Sequence, residues 1–142
     1  MATRSRIAIE KPDGTVESIY CHWDGYPENN GHILVEHYKD HKKVQALIDL
    51  GDISYLAPEV EAAPDTGHTF NDPVDGVVVA YGRDRGEDGV EKKTHSSVPG
   101  FFNGDIEEYG YLFTQEGEWL VKSLGRDNTP CTVEDYLNHI NA

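Results

Sequence analysis

The chain is short of cysteine, of basic residues and of long apolar runs, and each shortage removes a class of protein. Its two cysteines, Cys21 and Cys131, lie far apart and form no CxxC pair, so no disulfide framework is expected and both read as reduced thiols. No run of about 18 apolar residues is present to span a bilayer. Met1 is followed by ATRSRIAIEK, which has no apolar signal core. These features point to a soluble, cytoplasmic protein with no membrane partner. Lysine and arginine number 12 against 26 aspartates and glutamates, a formal charge of −14. Direct binding to nucleic acid requires a basic surface that displaces counterions, and is disfavoured. There is no GxSxG, no Walker loop, no HxE paired with CxxC, no internal repeat and no coiled-coil pattern.

What remains fits a single domain over 1–142, long enough to bury a core. Ile7, Ile9, Val16 and Ile19 predict two strands around the turn Pro12-Asp13-Gly14. The spacing of Ile33, Leu34, Val35 and Tyr38, then Val44, Leu47, Ile48 and Leu50, predicts two short helices or one broken near Asp40. Asp40 is the N-cap of the second part and Gly51 its stop. A long acidic loop over about 57–76 carries three prolines. A buried strand follows at 77–81, then a charged turn, GRDRGEDG. The segment 92–104 is ambiguous, although Phe101 and Phe102 must find cover. A second hairpin spans 109–114 and 119–124 across Gln115-Glu116-Gly117, and Thr132 with Asp135 opens a last helix. The expected fold is α+β: a mainly antiparallel sheet of an N-terminal and a C-terminal hairpin plus a central strand, with two short central helices and a C-terminal helix.

The second strand delivers Tyr20, Cys21, His22, Trp23, Asp24 and Tyr26 within seven positions. Cys21, His22 and Asp24 are the residue types of nucleophilic catalysis, but sequence adjacency does not assemble a triad. Cys21 also reads as a small buried apolar residue, and the balance lies against an enzyme. Trp23 reads as a loop anchor, Asp24 as a turn cap and Gly25 as a source of positive φ, all compatible with a rigid binding loop.

Four of the five arginines fall in two Arg-x-Arg triplets, Arg4-Ser5-Arg6 and Arg83-Asp84-Arg85. In extended chain each triplet would aim two guanidinium groups at one anion. If the triplets converged, Arg4, Arg6, Arg83 and Arg85 with Trp23, Tyr20 or Tyr26 would suit a nucleotide-like phosphorylated molecule. The competing reading is that they pair with the abundant carboxylates. His37 and His41 share a helical spacing, yet no Glu follows His37 and His32 adds no standard spacing, so neither metal nor cofactor is expected. Between Asp49 and Glu91 eleven acids face Arg83 and Arg85 alone, a local balance of −9. That excess reads either as a solvated surface or as a face that imitates nucleic-acid phosphates.

The runs TRSRIAIE, SIYCHWDGYPENNG, KVQALIDLGDIS and YGRDRGE together resemble a family of small uncharacterised proteins of tailed phages and prophages. The resemblance covers most of the chain and implies a setting, the infected host cell, with no assigned catalytic residue. Proteins of that setting often act on host machinery or host defences. The leading expectation is therefore a non-enzymatic accessory protein that blocks or sequesters a host protein, notably a nucleic-acid-binding one, with Asp65, Asp72, Asp75, Glu87 and Asp88 as docking contacts. A binder or hydrolase of a phosphorylated small molecule, with His22 and Asp24 as hydrolytic groups, is the alternative. A virion structural or assembly factor is the third.

Overall fold

The computed structural model describes residues 3–62, 66–104, 107–123 and 130–140, with residues 139 and 140 described by backbone only. In chain order the elements are β1 (Ser5–Glu10), β2 (Val16–Cys21), a π-helical turn (Pro27–Gly31), α1 (His32–His37), α2 (His41–Asp49), β3 (Ile53–Tyr55) and β4 (Val79–Ala80). They continue with α3 (Tyr81–Arg85), β5 (Lys93–His95), α4 (Val98–Phe102), β6 (Tyr109–Phe113), β7 (Trp119–Ser123), β8 (Cys131–Thr132) and α5 (Val133–Ile140). One sheet runs β4-β3-β2-β1-β6-β7-β8, with β5 pairing the other half of the outer edge of β2.

Both hairpins close by the same local chemistry. The Lys11 N–H donates to Thr15 O at 2.8 Å and the Gly14 N–H to Lys11 O at 2.9 Å. Thr114 and Glu118 (2.9 Å), with Gly117 and Thr114 (3.0 Å), repeat the pattern. In each turn a glycine at φ +86 takes the left-handed position that a right-twisted hairpin needs.

The sheet is mainly antiparallel, as expected, but not purely so, because two of its strand pairs are parallel. The first strands of the two hairpins, β1 and β6, pair in parallel from Ser5↔Tyr109 to Ile9↔Phe113. Likewise β2 meets β3 in parallel at Cys21↔Ile53, with α1 and α2 as the crossover between them. The charged turn after β4 is helical: α3 begins at Tyr81 and stops at Gly86, φ +73, and the strand before it is shorter than expected.

The break between α1 and α2 falls at Asp40, whose backbone is extended and whose carboxylate accepts the Lys42 N–H to cap α2. That helix buries Val44, Leu47 and Ile48 and ends at Gly51, φ +78. A Cβ there would lie 2.3 Å from Val90 O, which also accepts the Asp52 N–H at 2.7 Å. Alternation along β1 and β2 splits the sheet faces. Ile7, Ile9, Ile19 and Cys21 join Leu34, Tyr38, Leu47, Ile48, Val133 and Leu137 in the main core. On the opposite face Ala8, Val16 and Leu112 are covered by Phe101 and Phe102 from α4. Beyond α4 that second face is polar and aromatic. No helix among the described residues is long and apolar enough to cross a membrane.

Candidate functional site

The loop that leaves β2 is built from the inside. Cys21, Gly25, Pro27, Asn30 and Gly31 are buried. The Gly25 N–H donates to Thr3 O at 2.8 Å, and its carbonyl accepts the Tyr111 hydroxyl at 2.6 Å. A Cβ on Gly25 would stand 2.7 Å from Ser5 Cβ, so glycine is required for close approach and not for positive φ. The positive φ, +55, falls on Asp24, whose carbonyl accepts the Asn29 amide at 3.0 Å. The Asn30 amide donates to Ser5 Oγ and Cys21 Sγ. Trp23 is not the anchor. It is 45% exposed and Tyr26 is 38% exposed, the two large hydrophobic side chains left in solvent among the described residues.

The loop's chemical groups do not meet as a catalytic set. Burial pushes the Cys21 thiol up to about 11, beyond what the Asn30 bond offsets, so at neutral pH it is a protonated structural group. His22 follows on the other face, where its Nδ1 lies 2.7 Å from the Tyr20 hydroxyl and its ring meets Trp23 edge-on at 4.8 Å.

The arginines of both triplets have partners within the chain. Arg6 is 5% exposed, and its Nε and Nη2 donate to Ser18 Oγ at 3.2 and 3.0 Å. Arg4 stands 4.0 Å from Glu107. Arg83 and Arg85 sit in α3, where residues two apart do not share a face, so the premise of an extended clamp fails there. Arg83 donates to Val60 O (2.5 Å), Val78 O (2.6 Å) and both oxygens of Asp84. Arg85 lies over the Phe70 ring at 4.9 Å and 3.6 Å from Glu87. Of the four, Arg85 has a ring contact, with Phe70, which in turn packs on Tyr81 with ring centroids 5.7 Å apart. Burial raises the Tyr20 hydroxyl, with Arg4 opposing and Glu107 and Tyr81 adding to it. Burial also raises Tyr81, against a bond with Ser54 and the charge of Arg85.

The acidic loop is pinned by a residue the sequence reading passed over. The Val74 N–H donates to His68 Nδ1 at 3.0 Å, so the ring proton sits on Nε2 and donates to Asp84 Oδ2 at 3.1 Å. Asp84 also accepts the Ala80 N–H at 2.8 Å. Burial works against this carboxylate, but the bonds from Arg83, Ala80 and His68 outweigh it and hold its pKa below the usual range. Asp72, Asp75 and Asp88 are exposed, and Glu87 is half-buried beside Arg85. Asp65 lies outside the described residues.

Sequence reading also passed over His95 and an open cavity. Ser18 Oγ accepts from Arg6, so its own proton goes to His95 Nε2, 2.8 Å away, and the imidazole is neutral. Ser18 is fully buried, which closes it to substrate. The cavity, about 400 Å³, lies between α1 and the second hairpin, with Glu36, Lys39, Phe113, Glu118, Trp119 and Glu134 on its walls. Among the described residues no group of three His, Cys, Asp or Glu side chains could hold a metal ion. No family model, curated protein or solved structure matches the chain.

Proposed function

We propose that this is a non-enzymatic phage accessory protein of the infected host cytoplasm that binds a basic, nucleic-acid-binding host protein through an acidic face. The observation that carries the reading is the fate of the two arginines in the acidic middle of the chain. Arg83 spends its guanidinium on two backbone carbonyls and Asp84, and Arg85 is occupied by Phe70 and Glu87. Asp72 and Asp75 face solvent on the loop that His68 ties to Val74 and Asp84, and Asp88 is exposed just beyond α3. A pre-set acidic surface suits a partner whose basic groove otherwise holds phosphates, because little ordering is lost on docking. The buried, protonated Cys21 and the inaccessible Ser18 support binding over catalysis.

The test is affinity capture on the immobilised full chain, with the bound proteins eluted by a salt gradient. A basic host protein should elute early, and the variant carrying D72N, D75N and D88N should not retain it. A partner held equally by the variant and indifferent to salt would contradict the acidic face.

A second reading has its own observation, the Arg85 guanidinium lying 4.9 Å over the Phe70 ring, which packs on Tyr81, with the charge of Arg4 acting on nearby Tyr20. Such an arrangement suits a nucleotide or another phosphorylated compound held by stacking and guanidinium contacts. It predicts a co-purifying small molecule that Arg4→Gln and Arg85→Gln each release; retention by both variants would dismiss it.

A further inference from the structure

The loop that follows β2 exposes an unusual set. Between Trp23 and Glu28 the exposed residues are Trp23, Asp24, Tyr26 and Glu28, that is, two aromatic rings and two carboxylates, while Gly25 and Pro27 are buried beneath them. Residues 23–28 include no lysine or arginine. We propose that this loop is a receptor for an arginine side chain of the basic partner, with the guanidinium stacked on Trp23 or Tyr26 and its N–H groups donated to Asp24 or Glu28.

A guanidinium matches the set better than any other common side chain. It is planar and weakly hydrated, it lies flat on an aromatic face, and its edge delivers paired donors to a carboxylate. Lysine offers a compact, strongly hydrated charge and gains less from the rings. The loop is also ready-made. Gly25 is fixed at both its N–H and its carbonyl, Asn29 and Asn30 tie the π-helical turn to Asp24, Ser5 and Cys21, and His22 packs against one edge of Trp23. Exposed aromatics on a rigid support form the anchoring core of an interface at small entropic cost. The formal charge of −14 draws a cationic partner in.

The inference rests on the reading that the partner is basic, and its test separates the two. The full chain is titrated at low ionic strength with a short oligo-arginine peptide and with its oligo-lysine counterpart, by calorimetry and tryptophan fluorescence. Of the two tryptophans, Trp119 is buried, bonded to Tyr38 O at 2.8 Å and set in the wall of the acidic cavity, so the part of an emission change that is lost in Trp23→Ala reports Trp23. Oligo-arginine should bind more tightly than oligo-lysine and shift the emission. Trp23→Ala and Tyr26→Ala should each weaken it by about tenfold. Asp24→Asn, a residue that keeps the left-handed backbone accessible, should weaken it severalfold. Glu116→Gln, an equal change in net charge at an exposed hairpin tip, should not. All four variants alter exposed side chains, and circular dichroism checks that each folds. Salt-sensitive peptide binding that Trp23→Ala and Tyr26→Ala leave unchanged would overturn the arginine receptor and spare the acidic face. No binding of either peptide at low ionic strength would overturn both.

Discussion

Gly25 is the position in the candidate loop where one added carbon costs most. Its Cβ would fall 2.7 Å from Ser5 Cβ and 2.9 Å from Thr3 O, neither the end of a flexible chain. Gly25→Ala should lower unfolding free energy in urea by about 2 kcal/mol, the range for overpacking a filled site. Trp23→Ala should move it by no more than about 0.5 kcal/mol, as for an exposed side chain. Equal effects would contradict the division of the loop into a buried frame and an outward face. Cys21 gives a second check: buried and raised to about 11, it should resist a thiol reagent in the folded chain and react only on unfolding. The sequence made the loop legible as dense in chemistry. It did not say which residues faced out, because that depends on Ser5, Thr3 and Tyr111, all distant in sequence or strand. Glycine takes positive φ freely, which is what the sequence predicts at Gly25, whereas the close contact with Ser5 is a tertiary fact.

Among the elements, α3 and β5 each carry a cluster whose charge state affects stability. Asp84→Ala would leave the Ala80 N–H, His68 and much of the Arg83 guanidinium without their acceptor, and should cost about 3 kcal/mol. Acid should act in two stages. Burial, then Arg6 and Lys93, lower the His95 pKa, so the native state holds this ring neutral more firmly than the unfolded chain does. Its stability contribution is complete above the unfolded value, about 6.5, and declines as the pH falls below it. Asp84, Glu17 and Asp49 are held below their ordinary values, in each case with hydrogen bonds outweighing burial. Their contribution is present above about pH 4 and is lost at lower pH. A stability-against-pH curve from urea unfolding should therefore bend first below about 6.5, and His95→Gln should remove that first bend alone. A wild-type curve flat down to pH 5 would contradict the Ser18–His95 arrangement. The hairpins, the Asp40 cap and the Thr132 cap, whose hydroxyl accepts the Asp135 N–H, were legible because their chemistry is local. The parallel pairing of β1 with β6 was not, since nothing near either strand encodes it. Nor was α3, in which Asp84 serves as a hub for groups that the sequence presents only as alternating charges.

The whole molecule is acidic, and several of its described cations are committed to partners within the chain. Lys92 bonds Asp49 and Glu17, Lys11 lies near Glu17, and both arginines of the middle third have internal partners. The excess of acid was plain from composition. Its arrangement was not, because the commitment of Arg83 to Val60 and Val78 carbonyls follows from the way the 57–76 loop folds back on β4 and α3. Long-range attraction of this kind should fall steeply as salt shortens the screening length, from about 10 Å at a tenth molar to about 3 Å at one molar. The most direct measurement is native mass spectrometry, at low and at high ionic strength, on the protein recovered gently from the proposed setting, phage-infected host cells. The account predicts a basic host protein bound at low ionic strength and shed at high. A bound molecule of a few hundred daltons with no protein partner, or a partner retained equally at both, would contradict it.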